Sequence, residues 1–221
     1  MPFLFLPMLS LENQWVLNYN IFMNDNDKTL RIIKICSVFA LAFVFIFTAI
    51  YSYANDLKYT YELTFLSNFS TGLFLLVIGI LWLCNKSVPQ FLFLDFTILL
   101  LIVFGVCMAF AAEFNFAGGF AFLHIVNPLL MLAFYFFFSN QSKVKWQFLF
   151  TILAMPSIYI IFALIFGATT GNYIYFFLDY ARYGVGYTVL FILGIAVGLT
   201  AFGTGLYFLN GLIHKRILKS I

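Results

Sequence analysis

Thr64, Asn68 and Thr71 recur at spacings of four and three, which places two hydroxyls and an amide on one face of a helix. His124 is the histidine that falls well inside a different apolar run. A threonine hydroxyl beside an imidazole is a nucleophile with a general base, and the Asn68 amide or backbone N–H groups can then stabilise an oxyanion. The same residues also have a structural use. Thr64 can bond back to its own helix, Asn68 can bond across to a neighbour, and His124 can be a satisfied interior histidine.

These polar groups matter because of what surrounds them. The 221 residues are 64% hydrophobic, 22% aromatic and 9% charged, with a mean hydropathy of +1.05. A soluble domain carries roughly a quarter charged residues, so a soluble globule is excluded. Eleven Lys and Arg against eight Asp and Glu are too few and too scattered for nucleic-acid binding. Crossing roughly 30 Å of hydrocarbon takes about 20 apolar residues. Six runs qualify: Ile32–Tyr53, Leu63–Cys84, Phe91–Ala112, Gly118–Phe138, Trp146–Ala168 and Gly184–Leu209. They are apolar all round and lack the alternation of barrel strands. The expected fold class is an all-α integral membrane protein, a bundle of six transmembrane helices over 31–210. Residues 1–30 are expected to be a cytoplasmic, partly disordered extension, and 211–221 a basic cytoplasmic tail. Met1–Leu9 is apolar but has neither a positive n-region nor a small-residue cleavage site, so it reads as an interfacial or dispensable extension.

Basic residues set the orientation. Lys28, Arg31, Lys34, Lys86, Lys143, Lys145, Lys215, Arg216 and Lys219 fall on one side of the six spans, and only Lys58 and Arg182 on the other. Both termini are therefore expected to be cytoplasmic. With that topology His124 and Asn68 both lie about 9 Å below the outer boundary, at matched depth. The outer boundary also collects Glu113, Asp179, Arg182 and several tyrosines, Tyr175 among them, whereas Asp95 belongs to the opposite end. Asn68, Thr71, Glu113, Tyr175 and Asp179 are the candidate substrate contacts around Thr64 and His124. Asp179 and Arg182 also suit a local ion pair.

Cys36, Cys84 and Cys107 show no C-x-x-C spacing and read as small hydrophobes, so neither metal nor cofactor is expected. Gly194 and Gly198 form a G-x-x-x-G expected to press against another helix of the same chain. Pro128 and Pro156 are expected to kink the fourth and fifth spans and to free carbonyls near the cavity.

Leu63-Thr64-Phe65-Leu66-Ser67-Asn68, His124-x-x-x-Pro128, Pro156-x-x-Tyr159 and the run from Gly171 to Asp179 occur in this order. Together they resemble the androgen-induced gene 1 protein family, and more closely its bacterial six-transmembrane branch. The resemblance spans about Arg31 to Tyr207. It implies six helices and hydrolysis of fatty acid esters of hydroxy fatty acids, with Thr64 as nucleophile and His124 as base. The other reading is a non-enzymatic protein that binds or moves a lipid or small hydrophobic molecule through the same cavity. Membrane lipids and a lipid-like substrate are the partners expected. The topology is checked by cysteine accessibility: Lys143→Cys in intact cells should be labelled by an impermeant maleimide only after the membrane is permeabilised.

Overall fold

The computed structural model describes residues 28–109, 111–113, 116 and 118–216. The expected extension therefore lies almost wholly outside the described residues. Six helices are long and apolar enough to cross a membrane: α1 (Thr29–Tyr53), α2 (Leu63–Leu83), α3 (Phe91–Ala109), α4 (Gly118–Phe138), α5 (Trp146–Thr170) and α6 (Val185–Lys215). No strand occurs among the described residues. The all-α six-helix architecture is thus present and fits a multi-pass membrane protein. The last helix continues through Arg216, into the expected basic tail. His214 is buried there, with Nε2 3.2 Å from the Phe136 carbonyl oxygen.

Lipid tails are as apolar as leucine, so helices associate here through close packing and hydrogen bonds instead of through expulsion from water. α3 is the centre of the bundle and touches α2, α4, α5 and α6. Its Phe93 meets Trp82 of α2 and Phe134 of α4, with ring centroids 6.0 and 6.1 Å apart. α1 lies flat against α2 because α2 carries glycines where the two helices meet. A Cβ at Gly72 would fall 2.6 Å from Ile46 Cγ1 and 3.0 Å from the Ile46 backbone nitrogen, and one at Gly79 would strike the Phe39 ring.

Gly194 and Gly198 behave otherwise. A Cβ at either would meet nothing within 4 Å, so the expected contact with another helix of this chain is not made. The glycine of α6 that admits a neighbour is Gly203, where a Cβ would fall 2.7 Å from Ile152 Cδ1. A G-x-x-x-G permits close approach but does not say which face is partnered, and here it faces outward.

Polar stitches hold the helix ends. Gln141, after α4, donates its side-chain amide to the Gln90 carbonyl and Ser139 Oγ, both at 2.7 Å, and its backbone N–H to Asn210 Oδ1 at 2.8 Å. The Asn210 amide in turn donates to the Tyr135 and Ser139 carbonyls. This knot ties the α4–α5 connection to α6 and to the start of α3.

Both prolines alter helical winding. Trp146–Leu153 ahead of Pro156 is wound as 3₁₀ helix, and Phe122–Val126 ahead of Pro128 as π helix. Proline supplies no N–H to the preceding turn, and π turns absorb the mismatch.

The packing contrast can be measured in detergent. Gly72→Val should overpack α1 against α2 and cost about 1–3 kcal/mol, seen as a lower thermal midpoint. Gly198→Ile should leave that midpoint unchanged.

Candidate functional site

Thr64 is the second residue of α2, and Glu62 is the N-cap. At this position the hydroxyl has no carbonyl of the preceding turn to bond back to. It turns instead toward α4, where Thr64 Oγ1 lies 3.3 Å from His124 Nε2. The other ring nitrogen, Nδ1, lies 2.9 Å from the Phe120 carbonyl oxygen. A carbonyl only accepts, so Nδ1 carries the proton and Nε2 presents its lone pair to the threonine hydroxyl. The Phe120 ring stacks on the imidazole with centroids 3.9 Å apart and fixes its plane.

The π turn explains how His124 comes to lie there. Asn127 N–H bonds to the Phe122 carbonyl, one residue further back than in an α-helix, and the Leu123 carbonyl is left over. Asn68 fills that vacancy: its amide donates to Leu123 O at 3.2 Å and to Thr64 O at 2.8 Å. The Asn127 amide donates to Asn68 Oδ1 at 2.8 Å and to Thr48 Oγ1 at 2.9 Å. Three helices are thereby locked at the depth of the Thr64–His124 pair.

The pair opens into a cavity of about 280 Å³. Val103, Val106 and Cys107 of α3 and Pro156 and Ile160 of α5 form apolar walls, and Glu62, Tyr53, Tyr159 and Tyr175 add polar groups. Gly171, with φ of +74°, ends α5 in a left-handed turn that favours glycine. The chain then folds back, and the Tyr173 ring takes the place of the side chain Gly167 lacks. That return brings Ile174, Tyr175, Phe177 and Leu178 to the cavity. Tyr53 donates to Glu62 Oε2 at 2.9 Å, and Leu63 N–H donates to the Tyr159 hydroxyl at 3.0 Å. Burial pushes the Tyr175 phenol up to about 12; a hydrogen bond with Tyr159 opposes this and the Glu62 charge adds to it.

Among the expected site residues, Thr64, His124 and Tyr175 are brought together. Asn68 does not line the cavity: it is fully buried, and both its amide hydrogens are used on carbonyls. Thr71 is fully buried too and donates to the Ser67 carbonyl at 2.7 Å, away from the cavity. Asp179 caps the short helix Tyr180–Tyr183 by accepting Arg182 N–H at 3.0 Å, neither lining the cavity nor forming the expected side-chain pair with Arg182. Glu113 closes a 3₁₀ turn after α3, and its side chain lies outside the described residues. Glu62 and Tyr53 were not anticipated. The short connection from α1 to α2 was the available signal, since it must return the end of one helix to the start of the next. Asp95, at the other end, accepts from Thr151 Oγ1 at 2.9 Å and does not line this cavity.

No protein-family model, curated protein or solved structure matches the chain.

The structural role of Asn68 has its own signature. Asn68→Ala leaves the Leu123 carbonyl and one Asn127 donor unpaired in the bundle, at about 1–3 kcal/mol for each group. Thermal stability should fall accordingly. An oxyanion donor would instead lose turnover with stability intact.

Proposed function

We propose that this chain is a membrane-embedded hydrolase of lipid esters in which Thr64 is the nucleophile and His124 the base. The observation that carries the reading is the Thr64 Oγ1 to His124 Nε2 distance of 3.3 Å, with Nδ1 already committed to Phe120 O at 2.9 Å. An imidazole held in this tautomer accepts a proton from the hydroxyl without reorienting.

As Oγ1 attacks the ester carbonyl carbon, its proton passes to Nε2. The carbonyl oxygen becomes an oxyanion close to the first turn of α2, whose Thr64 and Phe65 N–H groups have no intrahelical acceptor and carry the positive end of the helix dipole. The tetrahedral intermediate breaks the bond to the alcohol oxygen. That oxygen takes the proton from Nε2 and leaves, with the acyl group now on Thr64. Water then adds to the acyl carbon, again losing its proton to His124, and the acid departs as Thr64 recovers its hydrogen. Apolar walls keep bulk water from competing with these short contacts.

The resemblance to the androgen-induced gene 1 family, whose hydrolases use a threonine in the second span and a histidine in the fourth, supports the same assignment. On the nine-to-two division of basic residues we put both termini on the cytoplasmic side and the site in the outer half of the membrane, and on the resemblance to the bacterial branch we take that membrane to be a bacterial plasma membrane.

A fluorophosphonate probe on detergent-extracted protein should label Thr64. Thr64→Ala and His124→Ala should each lower hydrolysis of a medium-chain nitrophenyl ester by about 10²–10⁴-fold. The double variant should be no worse than either, because nucleophile and base act as one unit. Ligand binding without labelling or turnover would return the cavity to a binding role.

A further inference from the structure

Tyrosine hydroxyls gather at the first turn of α2, where a nucleophile and a base do not by themselves call for them. A helix leaves its first N–H groups without intrahelical acceptors. In α2 the ladder begins at Leu66, whose N–H bonds to the Glu62 carbonyl, and Leu63 N–H leaves the helix for the Tyr159 hydroxyl at 3.0 Å. Thr64 and Phe65 N–H lie between them and are the two groups assigned above to the oxyanion.

Tyr159 Oη accepts from Leu63 N–H, so its own proton is there to donate, and the hydroxyl it meets is that of Tyr175. Tyr175 Oη is also within reach of Leu63 N–H, which puts it at the end of α2 that carries Thr64. A phenol oxygen that accepts from these groups still has one proton to give. Glu62 acts on Tyr175 through its charge alone, and its Oε2 is taken by Tyr53 at 2.9 Å. The Tyr175 proton is therefore offered to the cavity that Tyr175 lines with Thr64 and His124. Burial holds this phenol at about 12, so it remains a donor at neutral pH.

The sequence from Leu63 N–H through Tyr159 to Tyr175 runs in one direction, and each bond accepted strengthens the next one donated. Its first donor stands at the positive end of the helix dipole. The Tyr175 ring is also held: it stacks on Phe177 with centroids 5.3 Å apart and meets Tyr159 edge-on at 6.3 Å. A donor fixed before charge develops needs no reorganisation when it does.

We propose that the Tyr175 hydroxyl is a third donor to the oxyanion, beside Thr64 and Phe65 N–H, and that Tyr159 is its positioning residue. The proposal rests on the Thr64–His124 reading, because the oxyanion forms on an ester attacked by Thr64. Tyr175 donates a hydrogen bond and keeps its proton throughout.

The test uses the full chain in detergent with the medium-chain nitrophenyl ester. Tyr175→Phe keeps the stacked ring and should lower kcat by about 10²-fold, with KM within about threefold of wild type and the thermal midpoint unchanged. Tyr159→Phe should lower kcat by a smaller factor, and adding it to Tyr175→Phe should cost no further turnover, whereas a merely structural Tyr159 would slow both backgrounds alike. A folded Tyr175→Phe protein with kcat within about threefold of wild type would overturn the proposal. Should that variant fail to fold, a crystal structure of wild-type protein labelled on Thr64 by the fluorophosphonate decides, since a phosphonyl oxygen then stands where the oxyanion forms. Tyr175 Oη within about 3.2 Å of that oxygen supports the role, and a separation beyond about 4 Å removes it. Labelling and turnover that ignore Tyr175→Phe would remove this proposal alone; wild-type protein with neither would remove the hydrolase reading and this proposal with it.

Discussion

The bond from the Asn68 amide to the Leu123 carbonyl is the contact on which the rest of the site depends. In hydrocarbon a backbone carbonyl left by a broken helical ladder has no water to turn to, and an unpaired polar group costs several kcal/mol. Pro128 and the π turn before it create such a carbonyl, and α2 supplies the donor. Satisfying it fixes the relative height of α2 and α4. Thr64 is one helical turn from Asn68, and His124 is one residue from Leu123, so the register that pairs the structural groups also pairs Thr64 with His124.

The same constraint gathers many of the buried polar residues into two layers. Thr48, Asn68 and Asn127 close one layer, and Gln90, Ser139, Gln141 and Asn210 close the other. Between and around them the bundle is held by aromatic contacts such as Phe74 on Phe96, with centroids 4.1 Å apart. Both irregular stretches have protein neighbours: the 3₁₀ start of α5 packs on α3 and α6, and the π turn of α4 on α1, α2 and α3. Irregular backbone at membrane depth requires such neighbours.

The six spans were legible because run length is dictated by bilayer thickness and needs no tertiary information. The meeting of Thr64 with His124 was legible for a related reason: equal depth from one boundary leaves helix adjacency as the remaining unknown. Asn68 was placed near the pair with two tasks open, since spacing reports a face and not whether that face meets a cavity or a carbonyl. Gly194 and Gly198 show the same gap, because a small-residue motif is silent about its partner. Glu62 was invisible as a site residue for a different cause. It marks the end of an apolar run, and a charged residue there reads first as a boundary.

Its position at that boundary is what makes Glu62 chemically apt. A carboxylate deeper in α2 would carry the full cost of burial, and one further out would be screened by water and salt. At the cap it lines the cavity beside Thr64, and the Tyr53 hydroxyl donates to its Oε2 at 2.9 Å. The first turn of α2 begins at the same place, and its Thr64 and Phe65 N–H groups precede the first intrahelical bond, from Leu66 N–H to Glu62 O. The carboxylate and the positive end of the helix dipole therefore share one end of α2, which lowers the cost of holding the charge where the cavity begins.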